Sequence, residues 1–475
     1  MTRSLLAALF AAFPVLAPAQ DITGLEGGSP ELVPGQQAAT PVTIAPLEPA
    51  AELAARAAWW AEAKFGMFIH FGLYSALAGE WQGKKIGSHG EWIQQKAPIS
   101  NADYAATAAT FNPTKFDAKR WVAIAKSAGM RYVVLTAKHH DGFAMFDSAV
   151  SDFTIVKATP FKRDVVRELS EACRDAGLRF GVYYSNDLDW HENMWTLGQH
   201  DGADPARFDA YYRGKAMAQV KELLTKYGPM ATVWFDGRPR TATVDQALAF
   251  RTMIRQLQPE TLINNRLRAV PADFFNYEQR LPRGVDPQRW EGCMTTNGSW
   301  GFKRSDQDWK STKLLLFKLV DAVSKGGNML LNVGPDGEGV IPEIAQQRLA
   351  DMGAWMATHG EAIYGATATP LGAEFGAEDP VRKDSKGKPV FNPDERWRCT
   401  VKPGRRYITV FEATDGHVDL PRAIGTVAKA TLLGDTAQAS LTIQPTEQGW
   451  RILLPPAAQA MLAPVIRLDL VDQKP

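Results

Sequence analysis

Short apolar runs alternate with amphipathic stretches from about Trp59 to Gly365, and this alternation restricts the fold more than any other feature of the chain. The runs have the length of buried strands, and the stretches between them have helical spacing. The strand candidates are 67–72, 131–140, 178–185, 231–237, 261–266, 273–278 and 328–335. The helix candidates are 116–128, 163–176, 208–227, 244–258, 312–324 and 342–358. This count predicts an α/β protein with a (β/α)8-like barrel, in which up to two helices are missing, rather than a doubly wound sheet.

Charge and composition exclude several kinds of partner. The 53 Lys and Arg residues nearly balance the 52 Asp and Glu residues, which gives a formal net charge of +1. Such a chain has no overall positive potential that would attract nucleic acid or an anionic membrane surface. No G-x-G-x-x-G motif follows the first strand candidate, which argues against a dinucleotide cofactor. The three cysteines are widely spaced and offer no disulfide framework. We therefore expect a neutral small-molecule partner and no cofactor, and the 14 Trp residues suit a ligand with apolar faces and polar edges.

The amino terminus predicts an exported protein. Residues 1–19 combine one cation, an apolar run and Ala17-Pro18-Ala19, which is typical of a secretory signal peptide. The apolar run is too short to cross a bilayer. Residues 20–50 are rich in Pro, Gly and Ala, which indicates a flexible leader. A periplasmic or extracellular location follows, with the catalytic barrel expected at 51–368.

The carboxyl-terminal region has a different pattern. Short alternating runs after about Thr369 predict a small antiparallel β-sandwich domain over 369–475. The runs are 405–412, 429–434, 438–445, 450–455 and 464–471. Segment 379–398 is rich in charge, Pro and Gly, so we expect it to be a surface loop within this domain.

Polar side chains at the carboxyl ends of the strands line the active site in barrels of this class. Asp236 is the strongest candidate, because VWFDG is an apolar strand that ends in a carboxylate. Trp234 shares a strand face with Asp236, so both would line one pocket, whereas an isolated Asp-Gly would indicate only a turn. The same rule selects His70, His139, His140, Tyr183, Tyr184, Asn265, Arg266 and Glu278.

A second carboxylate is available at two positions. Glu278 ends another strand candidate, and Glu291 follows it in the sequence WEGC. Glycosidic bond cleavage needs two carboxyl groups at one pocket: one ionised at the anomeric centre and one that protonates the leaving oxygen. The pattern indicates a glycosidase, and both glutamates remain candidates for the second role.

The histidines suggest a metal-dependent hydrolase as an alternative. His139 and His140 are adjacent, and neighbouring residues of a strand point to opposite faces, so they cannot easily bind one ion together. The first strand supplies His70 without a second histidine nearby. Hydrogen bonding to sugar hydroxyls is the simpler role, so no metal is expected, and Arg266 would orient a carboxylate or a ring hydroxyl.

Seven motifs in order resemble those of the α-L-fucosidases of glycoside hydrolase family 29: GMFIHFGLYS, GEW at 90–92, KHHDGF, VYYS, VWFDG, NNR and WEGCMTTNGSWGF. The resemblance covers about Trp59 to Thr369. It implies a (β/α)8-like barrel followed by a β-sandwich, a retaining double displacement and no required metal. Asp236 matches the family's nucleophile. Glu278 and Glu291 match two acid/base patterns, and Glu278 is favoured because it also ends a strand.

The resemblance also implies a fucose-binding shell, in which histidines and Glu91 hold ring hydroxyls and an aromatic wall accommodates the C5 methyl. The positions that match are His70, Glu91, Trp92, His139, His140, Tyr183, Trp234, Arg266 and Trp300. Tyr183 is preferred to Tyr184, because only one of two neighbours on a strand can face the pocket. The expected activity is an exo-acting α-L-fucosidase on fucosylated oligosaccharides or glycoconjugates. A glycosidase for a related sugar such as α-L-galactose, or a non-catalytic carbohydrate-binding protein, are the alternatives.

Overall fold

The computed structural model describes residues 47–194, 204–237, 242–267, 270–383, 387–413 and 415–471. The predicted signal peptide and the predicted leader up to residue 46 lie outside this part of the chain. Within it, no helix is both long enough and apolar enough to cross a membrane.

Eight parallel strands form one curled sheet in the described residues. They are β1 Phe65–Ile69, β2 Tyr132–Lys138, β3 Arg179–Tyr184, β4 Thr232–Phe235, β5 Leu262–Ile263, β6 Phe275–Glu278, β7 Trp290–Thr295 and β8 Asn328–Val333. Their order across the sheet is β5-β4-β3-β2-β1-β8-β7-β6. A parallel bridge between Asn264 and Phe274 joins the two outer strands. This arrangement confirms the predicted (β/α)8-like barrel.

Each of the seven strand candidates overlaps a barrel strand, and β7 is the barrel strand that the sequence pattern did not predict. The longer helices are α1 Ala50–Ala63, α2 Ala118–Ser127, α3 Val165–Ala176, α4 Pro205–Tyr211, α5 Ala218–Lys226, α6 Val244–Leu257, α7 Thr312–Ser324 and α8 Glu343–His359. Four-to-six-residue helices lie at Tyr74–Leu77, Ile93–Lys96, Asn101–Ala106, Ile155–Ala158 and Pro456–Gln459. A π-helical segment, Tyr212–Met217, connects α4 to α5, so the predicted helix 208–227 is not one regular α-helix. In the described residues no α-helix connects β5 to β6 or β6 to β7.

Several helix ends are encoded locally. Asp117, Asp164 and Ser311 each accept a hydrogen bond from the backbone N–H three residues later, which begins α2, α3 and α7. Thr243 begins α6 with a capping box. Gly177 ends α3 with a φ of 74°, in the left-handed region that glycine adopts without strain. These short-range signals explain why the helix positions could be predicted from the sequence.

In the described residues, three antiparallel sheets follow the barrel. Their strands are β9 Gly376–Lys383, β10 Pro389–Pro393, β11 Trp397–Lys402, β12 Arg405–Val410, β13 His417–Pro421, β14 Val427–Leu432, β15 Ile443–Pro445, β16 Gly449–Leu453 and β17 Val465–Leu470. The sheets have the orders β9-β10, β11-β12-β17-β14 and β13-β16-β15. The expectation that 379–398 is a surface loop is wrong, because β9 and β10 pair there as a hairpin. The segment lacks alternation because residues on both sides of this hairpin are exposed or half-buried rather than buried.

The antiparallel sheets pack against α7 and α8. Arg398 on β11 donates from Nε to Oδ1 of Asp321 on α7 at 2.5 Å, and its guanidinium lies 4.7 Å from the centre of the Phe317 ring. Trp355 on α8 donates from Nε1 to the carbonyl oxygen of Ala463 at 2.8 Å. A buried ion pair and a buried hydrogen bond thus connect the sheets to the barrel helices.

The barrel interior is filled with side chains. Phe68, Tyr132, Tyr183, Trp234 and Leu330, from five different strands, belong to one buried cluster. Large aromatic side chains therefore pack the barrel interior below the carboxyl ends of the strands, as expected for a barrel with a packed core rather than a pore.

Candidate active site

Asp236 is the residue after β4, and three polar side chains surround its carboxylate. Arg266 donates from Nη1 to Oδ1 at 2.7 Å, and the hydroxyl of Tyr183 donates to Oδ2 at 2.8 Å. Nε2 of His140 lies 3.5 Å from Oδ2. Burial alone would raise the pKa of Asp236, but the charge of Arg266 and the hydrogen bonds from Arg266 and Tyr183 outweigh it and hold that pKa below its usual value. Asp236 is therefore ionised near neutral pH.

Glu278 ends β6 and shares Arg266 with Asp236. Arg266 donates from Nη2 to Oε2 of Glu278 at 2.6 Å, so the two nitrogens of one guanidinium contact the two carboxylates. Burial alone would lower the pKa of Arg266, but the negative charges of Asp236 and Glu278 raise it above its ordinary value. The side chain of Glu278 is 43% exposed, whereas that of Asp236 is 21% exposed. One carboxylate is enclosed, and the other lies beside it and reaches solvent.

Glu291 lies elsewhere. It is the second residue of β7 and is 1% exposed, inside the barrel. Its Oε1 accepts a hydrogen bond from Nε1 of Trp234 at 3.1 Å, and its Oε2 accepts one from the hydroxyl of Tyr132. Burial raises the pKa of Glu291 to about 7. The structure therefore brings Glu278, and not Glu291, to the strand-end cluster with Asp236.

The three predicted histidines form one cluster. The ring centres of His139 and His140 are 4.2 Å apart, and those of His70 and His139 are 5.6 Å apart. The ring of His139 stacks on Tyr183 with centres 5.2 Å apart and planes 8° apart. Burial lowers the pKa of His70 to about 3 and that of His139 well below its ordinary value. His70 and His139 are therefore neutral, and each ring presents one hydrogen-bond donor and one acceptor.

Hydrogen bonds fix the orientation of two of these rings. Nδ1 of His70 lies 2.6 Å from Oδ1 of Asn332, and Nδ1 of His140 lies 2.7 Å from Oγ of Ser185. Nδ1 of His139 is buried and has no partner in the described part of the chain. Among the described residues, no group of three or more His, Cys, Asp or Glu side chains has an arrangement suited to a metal ion.

Glu91, Trp92 and Trp300 extend the cluster on the side of β1 and β8. Oε2 of Glu91 accepts a hydrogen bond from the backbone N–H of Gly301 at 2.7 Å, whereas its Oε1 is buried without a partner in the described residues. Burial raises the pKa of Glu91. The ring centre of Trp92 is 5.4 Å from His140, and that of Trp300 is 5.1 Å from His70. Aromatic faces thus lie beside the imidazoles.

The two tyrosines at the end of β3 contact different parts of the molecule. Tyr183 contacts Asp236, while the hydroxyl of Tyr184 donates to Gln219 at 2.7 Å on the outside of the sheet. Sequence reasoning missed Asn332 and Ser185, which orient His70 and His140. Both lie at strand ends, in NMLLNVG and VYYS, so the strand-end rule applied to every strand could have found them.

The fold and these side chains define a class. Two carboxyl groups at strand ends on one side of a parallel barrel, surrounded by aromatic faces and neutral imidazoles, are what a barrel glycoside hydrolase requires. The family model described as "Alpha-L-fucosidase" matches residues 36–361. The chain belongs to the α-L-fucosidase family, and the resemblance carried by its motifs is confirmed.

Known relatives agree with this assignment. The chain is 30% identical over 429 residues to tissue α-L-fucosidase of Bos taurus, covering 85% of this chain and 86% of the relative. α-L-Fucosidase isoenzyme 1 from Paenibacillus thiaminolyticus aligns with a TM-score of 0.75 and 35% identity over 89% of this chain and all of that one. An α-L-fucosidase from Lactobacillus casei, solved with the product α-L-fucose, is 41% identical over 64% of this chain and 99% of that chain, with a TM-score of 0.60. The protein is an α-L-fucosidase by family.

Proposed function

We propose that the enzyme removes terminal L-fucose from fucosylated oligosaccharides or glycoconjugates by an exo-acting, retaining double displacement. Asp236 is the nucleophile and Glu278 is the acid/base in this mechanism. The observation that carries the proposal is the contact of one guanidinium, that of Arg266, with both carboxylates at 2.7 and 2.6 Å. It holds together the two groups that glycoside hydrolysis needs.

In the first step, a carboxylate oxygen of Asp236 bonds to the anomeric carbon while the glycosidic C–O bond breaks. Glu278 transfers its proton to the leaving oxygen at the same time. In the second step, Glu278 takes a proton from water, and the water oxygen displaces Asp236 from the anomeric carbon. The sugar thereby leaves with its original anomeric configuration.

The surroundings of the two carboxyl groups suit these different roles. The depressed pKa of Asp236 keeps the nucleophile ionised. Glu278 contacts Arg266, and after giving its proton to the leaving oxygen it is the base that the second step needs. In the first step Glu278 must carry a proton and turn towards the leaving oxygen, and its 43% exposure leaves room for this movement and for exchange with water.

The sugar is held by the shell that the resemblance implied: His70, Glu91, Trp92, His139, His140, Tyr183, Trp234, Arg266 and Trp300. Oε1 of Glu91 and Nδ1 of His139 are buried polar atoms without partners in the described residues, so a sugar hydroxyl would satisfy each of them. Because His139 is neutral, it can accept as well as donate a hydrogen bond. The aromatic side chains supply apolar surface for the C–H faces and the methyl group of fucose.

The mechanism is tested with an aryl α-L-fucoside and azide. Asp236→Gly should abolish hydrolysis, and azide should restore turnover with an inverted β-fucosyl azide as product. Glu278→Ala should yield an α-fucosyl azide, because azide then attacks the fucosyl-enzyme. Retention further predicts carboxyl groups about 5–5.5 Å apart in a complex with substrate.

Glu338→Ala is the matched control, since Glu338 is an exposed carboxylate paired with Lys115. This variant should keep wild-type kinetics without azide. Near wild-type hydrolysis by Asp236→Gly, or azide rescue of Glu291→Ala in place of Glu278→Ala, would contradict the assignment.

We further propose export of the chain with a signal peptide at 1–19, a leader at 20–50, a catalytic domain at 51–368 and a β-sandwich domain at 369–475. The amino-terminal pattern supports export, and the change from parallel to antiparallel strands between β8 and β9 supports the domain division. Amino-terminal sequencing of protein recovered from the periplasm or medium tests the cleavage site. An intact Met1 would refute it.

A further inference from the structure

Glu291 connects three strands across the barrel interior. It lies on β7, and it accepts hydrogen bonds from Tyr132 on β2 and from Trp234 on β4. All three side chains are at most 2% exposed. An indole N–H inside an apolar barrel needs an acceptor, and a carboxyl group is a strong one. Glu291 therefore fixes the direction in which the Nε1 edge of Trp234 points.

Two residues that pack against the ring of Trp234 also contact the proposed nucleophile. The ring of Tyr183 lies against that of Trp234 with centres 5.7 Å apart and planes 22° apart. The guanidinium carbon of Arg266 lies 5.0 Å from the centre of the indole ring. Tyr183 and Arg266 are the two residues that donate hydrogen bonds to Asp236. The indole plane thus supports both donors to the proposed nucleophile.

We propose that Glu291 is a positioning residue that holds Trp234, and through Trp234 the two donors to Asp236, in the geometry that the displacement needs. This inference rests on the proposed role of Asp236 as nucleophile. It gives Glu291 a role other than acid/base, because its carboxyl group is enclosed beneath the indole while Glu278 reaches solvent. Small displacements of reacting groups lower rates strongly, so loss of this support reduces catalysis without removing any group that contacts the sugar.

The test uses Glu291→Leu, Trp234→Phe and the double variant. The first removes the oxygen that accepts the hydrogen bond from Trp234, and the second keeps an aromatic ring but removes its N–H. The control Tyr132→Phe removes the other hydrogen bond to Glu291 and leaves that to Trp234 in place. Each enzyme is assayed with two aryl α-L-fucosides, one with a good leaving group (2-chloro-4-nitrophenol) and one with a poor leaving group (phenol).

Loss of positioning and loss of the acid predict different results. We expect Glu291→Leu and Trp234→Phe each to lower kcat/KM by about 10- to 100-fold, equally for both substrates. The double variant should fall no further than the worse single variant, because both changes break the same hydrogen bond. Tyr132→Phe should lose less than either. Thermal unfolding of each variant identifies any loss of folded protein, and Trp234→Phe tests the same bond if Glu291→Leu does not fold.

Three results would overturn the inference: a loss in Glu291→Leu confined to the phenyl fucoside, azide rescue of that variant, or multiplicative losses in the double variant. Unchanged kcat/KM in both single variants would overturn it as well. Failure of the acid/base assignment is seen separately, as a Glu278→Ala variant whose loss does not depend on the leaving group.

Discussion

Replacing Arg266 by Met is the most direct test of how the site is organised. The substitution keeps an apolar stem over Trp234 and removes both guanidinium contacts, to Asp236 at 2.7 Å and to Glu278 at 2.6 Å. Burial already disfavours the ionised form of Asp236, and the charge of Arg266 is the largest of the effects that oppose it. In the variant the largest opposing effect is gone, and burial is opposed by His140 and the hydrogen bond from Tyr183, so the pKa of Asp236 should rise.

The magnitude follows from the enclosure of the pair, whose side chains are 21–22% exposed. Breaking a buried ion pair by removing one partner costs about 3–5 kcal/mol, because a buried charge is left uncompensated. If this cost falls on the reacting form of the enzyme, kcat/KM should fall by about 100- to 5,000-fold, since 1.36 kcal/mol corresponds to a factor of ten. Arg266→Lys keeps the charge but loses the two-pronged contact, so its loss should be smaller.

The assay is kcat/KM for an aryl α-L-fucoside across pH 3 to 9. As the proposed nucleophile, Asp236 would attack only when ionised, so activity should be present above its pKa and lost below it. The acid limb should therefore move to higher pH in Arg266→Met. Arg304→Met is the control, because Arg304 is an exposed cation 3.5 Å from Glu80. The reasoning is refuted if Arg266→Met keeps more than about a tenth of wild-type kcat/KM, which corresponds to a cost below 1.4 kcal/mol, or if its acid limb does not move.

Three other results should follow from the structure. Arg398→Met should lower the free energy of unfolding in urea by about 3 kcal/mol, because it breaks the buried ion pair with Asp321. Arg396→Met, at an exposed ion pair, should cost about 1 kcal/mol or less. Equal effects would contradict a stabilising role for the ion pair between Arg398 and Asp321. Burial holds the pKa of His70 at about 3, so as pH falls from 7 to 5 the unfolded chain gains a proton that the folded chain does not. The free energy of unfolding should therefore drop by about 2 kcal/mol between pH 7 and pH 5. A His70→Gln variant whose free energy of unfolding falls equally with pH would contradict this. An aryl α-L-galactoside, which adds one hydroxyl at C6, should react about 10- to 100-fold more slowly than the fucoside, and equal kcat/KM values would make α-L-galactose the better substrate assignment.

Local signals made much of this protein predictable. Side-chain caps at Asp117, Asp164 and Thr243 begin helices within a residue or two of the predicted positions, because a cap depends only on the next three residues. Period-two alternation assigned Tyr183 to the inner face for the same local reason. The hairpin of β9 and β10 was missed because neither strand buries a face, so its pairing leaves no periodic pattern in the sequence.

The sequence by itself determined the family, the barrel class and the strand-end carboxylate Asp236, since apolar periodicity, helix caps and motif order are written along the chain. Only the tertiary structure decided which distant side chains meet. Glu278 and Glu291 both match an acid/base pattern in the sequence. The register of β6 and β7 nevertheless places Glu278 at the strand ends beside Arg266, and Glu291 in the barrel interior at Trp234. Asn332 contacts His70 because β1 and β8 are neighbours in the closed sheet, although the two residues are far apart in the chain. Such contacts depend on how the strands are ordered and aligned, which sequence patterns within single strands do not encode.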